Sequence, residues 1–433
     1  MTRRLRTVIA ITLLPALMLS ALWNWARDRS RAIAVPTIAV AGDVVATVGV
    51  AGTPVMSVRR AATSVASAAT RDRRADAIAE VIAGLSSSDC LVVTADGTTL
   101  VDVRSRIGVV GSSAVPVIIA SATVDELGAP YRSSTTISGA EPVDGRIPGD
   151  LFLIGGGDPL LASDELAATS GVDLVDGARV DTLVDALLAS GVVAIDGDVV
   201  GVDDRYASVS RAPGDPAMPA ALVVDGGRIL TNPVNRGLDP AQTAARTLYE
   251  LLLRAGISVS GTVRVGVVAD DAVALAVVEG AELAALAEAV VRNDSTEGAM
   301  AIAPWNWAIE LAIASGTGTD LVAGLTAASD VVAAWDVPRP MLQQPDAVEN
   351  SAVSCQALLA ASERLSAESV LIERGSGNDW LMVGALVEDD LEVVAIGNED
   401  ALKVAIDQLR TVVNDDAAAV NADALQPVGG VSQ

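Results

Sequence analysis

Residues 149–159 read GDLFLIGGGDP. The apolar run Leu151–Ile154 followed by three glycines and an Asp-Pro pair predicts a strand that ends in a turn. The same pattern repeats outward from it. AIDGDVVGVDD (194–204), PAALVVDGGRI (219–229) and ISVSGTVRVGVV (257–268) are further strand signals, broken by Gly-Asp and Asp-Gly turns. LVDALLASG (183–191) and PAQTAARTLYELLLRAG (240–256) predict helices between them. From Tyr131 to about Ala269 the chain therefore alternates strands with short helices.

The flanks differ. Asp72 to Leu85 predicts a helix with Ile78, Val81, Ile82 and Leu85 on one face. CLVVTADG followed by TTLVDV predicts a β-hairpin from Cys90. Ser113 to Leu127 predicts a helix with Ser113 as N-cap, Pro116 in its first turn and Gly128 as its stop. Its centre, Val117 to Val124, is apolar or small nearly all round, which predicts burial. From about Glu279 the pattern is helical. Two strands, WLMVGALV and LEVVAIGN, then lead into a helix containing Lys403, with a frayed tail (415–433) after Asn414.

Composition bounds the address and the chemistry. The chain has 433 residues, a net charge of -26 and no histidine. That acidity, dispersed along the chain, excludes a nucleic-acid binder. Only 2% of residues are aromatic, so the core is built from Ala, Val, Leu and Ile. Arg3, Arg4 and Arg6 precede an apolar stretch to about Ala26, long enough to cross a bilayer. Residues 1–26 are expected to be a signal anchor or a cleaved signal peptide, and 27–71 a stalk, with the bulk of the chain outside the cytoplasm. Cys90 and Cys355 are then a disulfide pair or two buried thiols. No metal site and no cofactor is expected.

The order of segments resembles a penicillin-binding family of serine D-Ala-D-Ala carboxypeptidases, with domains inserted between the first two active-site motifs. The resemblance is carried by TPVMSVRR, CLVVTADG, DELGAPYRSSTTISG, VDGRIPGDLFLIGGGDPLL, GVVAIDGDVVGVDD and DPAQTAARTLYELLLRAGISVSGTVRVG. It implies an α/β (α+β) β-lactamase-like peptidase domain in two parts, 72–139 and 276–414, around a β-rich insert at 140–275. It also implies peptidoglycan stem peptides or cell-wall enzymes as partners.

The motifs that carry the family's chemistry are altered here. In Ser-x-x-Lys, a partly desolvated lysine accepts the serine's proton. The matching stretch is Ser113-Ala114-Val115-Pro116, so proline stands where the base should be. Ser-x-Asn is matched by Asn293-Asp294-Ser295, with the outer residues swapped. Lys-Thr-Gly is matched by Glu373-Arg374-Gly375-Ser376, where Arg374 is expected to hold a carboxylate and Glu373 to repel one. Lys403, the only lysine, is placed beyond the last strand. The expectation is a cell-wall protein without catalysis that binds peptidoglycan peptides or acts as a scaffold. The alternatives are a working carboxypeptidase or endopeptidase with a displaced base such as Glu297 or Glu373, and a structural envelope protein whose insert docks a partner.

Overall fold

The computed structural model of the chain describes residues 78–95, 98–167, 177–206, 219–292, 299–365, 372–386 and 391–424. The expected anchor (1–26), the stalk (27–71) and the segment with Asn293, Ser295 and Glu297 lie outside the described residues. Among the described residues no helix is long and apolar enough to cross a membrane.

A five-stranded antiparallel sheet joins the two ends of the chain. Its order is Ile372–Arg374, Trp380–Leu386, Leu391–Gly397, Cys90–Ala95, Thr98–Val103. Side chains alternate across a strand, so each strand feeds two cores. Cys90, Val92, Ile372, Leu381, Val383, Val394 and Ile396 face a helical core. Leu91, Val93, Val101, Trp380, Met382, Val393 and Ala395 face Leu402, Ala405, Ile406 and Leu409 of the C-terminal helix, Glu399–Ala424. Val81 packs into this second core, with Ile78, Ile82 and Leu85 around it, as the periodicity of that stretch predicts. The C-terminal helix continues to Ala424, beyond the expected start of a frayed tail. The run DDAAAV (415–420) is rich in the best helix former, which explains the extension.

At the centre of the helical core lies the helix Val115–Leu127. Residues Val115 and Val117 to Thr123 are all buried, on every side of the helix. Helices Leu283–Arg292, Ala299–Ser315, Leu321–Ala333 and Cys355–Arg364 surround it. Its two central hydroxyls are satisfied internally: Ser121 Oγ donates to the Val117 and Ala361 carbonyls and Thr123 Oγ1 to that of Ile119. A disulfide between Cys90 and Cys355 ties the sheet to this layer, linking positions 265 residues apart.

A second five-stranded sheet has the order Val263–Val265, Val199–Val202, Leu151–Ile154, Ser134–Gly139, Val273–Glu279. Helices Val180–Ala189 and Pro240–Arg254 share a separate apolar core with it. The GGGDP turn shows why its glycines are needed. A Cβ on Gly156 would stand 1.9 Å from the Ser134 carbonyl oxygen, and one on Gly155 2.2 Å from that of Ala221. The segment Ala220–Val224, expected as a strand, is irregular and buried against this turn. Side chains take its amides instead of a neighbouring strand. Asp203 Oδ1 accepts from Ala221 N and Leu222 N, and Asn306 Oδ1 from Ala220 N.

Asn306 also donates to the Gly157 and Ala220 carbonyls. One turn further along the same helix, Glu310 makes a two-pronged ion pair with Arg205, both contacts at 2.6 Å. These contacts fasten the glycine turn to the helix Ala299–Ser315. Beside them, Asp158 is fully enclosed, and burial raises its carboxyl to about 6 despite a hydrogen bond from Leu160 N. Asp225 is raised to about 6 by the same cause.

A carboxyl raised in the folded state binds protons that the unfolded chain has already released. The stability it contributes is full below the unfolded value near 3.8 and is lost as pH rises through about 6. Urea unfolding across this window should therefore show stability falling as pH rises. Asp158→Asn should flatten the slope by up to about 3 kcal/mol. An unchanged slope in the variant would contradict the assignment.

Candidate active-site cleft

Ser113 sits in a single 3-10 turn, Ser112–Ala114, that leads into the helix Val115–Leu127. It does not cap that helix. The cap position is Ala114, which has no side-chain cap bond. The Ser113 hydroxyl is engaged elsewhere: its Oγ donates to Asp379 Oδ1 at 2.9 Å. Its backbone N–H faces both oxygens of the same carboxylate, at 3.2 and 3.3 Å. Ser112 Oγ donates to Asp379 Oδ2. One carboxylate thus collects two hydroxyls and the amide of the nucleophile position.

This arrangement floors a cleft of about 440 Å³. Pro116 lines it from the first turn of the helix, as Ser113 does from the turn before it. The opposite wall comes from Met300, Ala301, Pro304 and Trp305 of the helix Ala299–Ser315. Pro345 and Val348, from the stretch QPDAVENSA, close another side.

The strand Ile372–Arg374 and the turn after it form the remaining wall, with Arg374, Gly375, Ser376 and Asp379. Strand parity decides which way the charges go. Ile372 and Arg374 share the buried face, whereas Glu373 points to the other side. There Glu373 accepts from Trp380 Nε1 at 3.0 Å and pairs with Lys403 at 2.7 Å. It points away from the cleft, where the sequence predicts that it repels a ligand carboxylate or stands in as an alternative base. Its hydrogen bond with Lys403 holds its carboxyl below the usual range.

Arg374 is 7% exposed, and its Nη1 donates to the carbonyls of Val290 and Val291 at 2.7 and 3.2 Å. These are the last carbonyls of the helix Leu283–Arg292, the negative end of its dipole. The guanidinium therefore caps this helix from the cleft wall.

Lys403 works behind the cleft. It bridges Glu373 and Glu399 and lies 5.2 Å from the Trp380 ring centre. Both carboxylates raise its pKa. Glu399 in turn accepts from Gly377 N, and its own N–H donates to the Gly377 carbonyl at 2.7 Å. The chain's one lysine thus stabilises the turn that delivers Asp379, and takes no part in the cleft.

The sequence expectations included neither Asp379 nor Ser112. The signal was present in RGSGNDW (374–380), a glycine-rich turn between two strands with a carboxylate at its end. Only tertiary structure shows that this turn meets the serine turn 266 residues earlier.

A sequence model of the D-Ala-D-Ala carboxypeptidase 3 (S13) family matches residues 85–237. No curated protein matches the chain in sequence. Among solved structures, penicillin-binding protein 4 from Haemophilus influenzae superposes with a TM-score of 0.55 at 12% identity. The match covers 78% of this chain and 98% of that one. The same protein complexed with a β-lactam gives a TM-score of 0.54 at 12% identity, with the same coverage.

Gly375 has φ +74°, and a Cβ there would fall 1.9 Å from the Asp379 carbonyl oxygen and 3.1 Å from Ser113 Cβ. Gly375→Ala should therefore cost at least about 1 kcal/mol in urea unfolding. A variant as stable as the parent would contradict this account of the turn. Taken together, residues 85–237 match the D-Ala-D-Ala carboxypeptidase 3 (S13) family model, and most of the chain shares its fold with penicillin-binding protein 4.

Proposed function

We propose that this protein is an exported cell-wall relative of the D-Ala-D-Ala carboxypeptidases that binds peptide ligands in its cleft without hydrolysing them. One observation carries the reading. The Asp379 carboxylate holds both the Ser113 hydroxyl and the Ser113 N–H. Acyl transfer by a serine needs a base for the hydroxyl and donors for the oxyanion, and the nucleophile's own N–H commonly serves as one such donor. Here that donor faces the Asp379 carboxylate. An oxyanion forming at the same place would meet repulsion, and the motif lysine is replaced by Pro116, which has no proton acceptor.

The working-enzyme alternative draws on the same contact, because a carboxylate 2.9 Å from a serine hydroxyl is placed to accept its proton. Against it stands the shared position. A carboxylate that serves as base while bonded to the Ser113 amide occupies the oxyanion's site. The arrangement supports binding over turnover. Extracytoplasmic placement rests on the family's cell-wall role and on the basic, then apolar, N-terminal sequence.

A fluorescent β-lactam tests the reading, since it acylates a competent serine of this type. The purified chain should show no covalent label at Ser113 by mass spectrometry. Any residual signal should be equal in Ser113→Ala. A stoichiometric adduct on Ser113 that disappears in the alanine variant would overturn the proposal.

A further inference from the structure

A strip of extended backbone next to the cleft is paired on one side only. Met341 exchanges both of its backbone hydrogen bonds with Ala352, its N–H donating at 2.9 Å and its carbonyl accepting at 2.8 Å. Ala352–Val353 pairs in turn with Val109–Val110, so the chain around Met341 is the outer strand of a small antiparallel sheet. Gln343 also turns its N–H inward, to Ser351 Oγ at 3.0 Å. In such a ladder the polar groups of successive residues alternate sides. The N–H and carbonyl of Leu342 therefore point outward, and among the described residues neither has a hydrogen-bond partner.

Leu342 lines a groove of about 190 Å³ between this strip and the helix Leu321–Ala333. Val322 and Met341, which are 55% and 53% exposed, also line it, with Leu325 buried beneath them. Among the described residues its lining holds one arginine and no carboxylate, on a chain of net charge -26. That arginine, Arg339, pairs with Asp330 at 2.8 Å, and both side chains are more than half exposed. A guanidinium has five N–H donors, and an exposed ion pair contributes little, so Arg339 keeps donors for a ligand carboxylate.

We infer that this groove docks an extended peptide segment of a partner protein, added as a further strand on Leu342, with apolar side chains against Val322 and Leu325 and an acidic residue at Arg339. The incoming backbone donates to the Leu342 carbonyl and accepts from its N–H, which is how strands add to sheet edges. Pro340 has no N–H to offer, so the pairing is short and the side chains supply the selectivity. The strip continues into Pro345 and Val348 of the cleft wall, so the partner sits beside the cleft without filling it. Docking here needs no chemistry at Ser113, so this inference and the reading of the cleft fail separately.

The probe is a blocked hexapeptide, acetyl-Thr-Val-Thr-Val-Thr-Glu-amide, titrated into the purified full-length chain by calorimetry at physiological salt. One control carries lysine in place of glutamate, and a second is N-methylated throughout and cannot add as a strand. The parent peptide should bind at least about tenfold more tightly than either control. It should also slow hydrogen exchange at the Leu342 amide. Thr326→Trp, at an exposed helix position that lines the groove, should abolish binding without endangering the fold. Arg339→Ala should erase the preference for glutamate over lysine. No binding of the parent peptide would overturn the inference. So would equal binding of the methylated control, unchanged exchange at Leu342, binding that survives Thr326→Trp, or a glutamate preference that survives Arg339→Ala.

Discussion

A single carboxylate organises the cleft of this protein. Asp379 reaches it at the end of a glycine-rich turn and takes hydrogen bonds from Ser112 Oγ, Ser113 Oγ and Ser113 N. Much of the neighbouring structure secures that turn. Gly375 allows the chain to fold back within van der Waals reach of Ser113, Gly377 is bonded at both its N–H and its carbonyl to Glu399, and Lys403 bridges Glu399 to Glu373. The carboxylate is thus held in place from behind.

The surrounding fold explains how that is sustained. The sheet separates two cores, and the same strand that presents Arg374 to the cleft side presents Glu373 to the C-terminal helix. The disulfide between Cys90 and Cys355 closes the sheet against the helical layer that supports the serine turn. The glycine turn of the second sheet is fastened to the helix lining the cleft through Asn306, and Arg205 is fastened to the same helix through Glu310. A fold similar to that of penicillin-binding protein 4 thus surrounds a cleft centred on Asp379.

Much of this was legible in the sequence where the physics is local. The nearly continuous apolar runs CLVV, WLMVGALV and LEVVAIGN mark strands buried on both faces, and the uniformly apolar Val117 to Val124 marks a central helix. Pro116, three residues after Ser113, is expected from the sequence alone to stand where the resembled motif has its lysine. What was not legible depends on long-range pairing. Ser113 reads as a helix cap because its partner lies 266 positions away. A one-residue parity choice decides that Arg374, and not Glu373, lines the cleft. Ala220–Val224 reads as a strand because its composition is that of one, yet side-chain acceptors from Asp203 and Asn306 satisfy its amides.

The account rests on Asp379 occupying the position that a developing oxyanion would need. Its most direct test is a crystal structure of the chain grown with a peptidyl boronic acid, which forms a tetrahedral adduct only where a serine and its oxyanion donors are available. The account predicts an unmodified Ser113 with Asp379 still bonded to its N–H. A tetrahedral boronate on Ser113 Oγ, with Asp379 displaced and the Ser113 amide turned to the boronate oxygen, would contradict it.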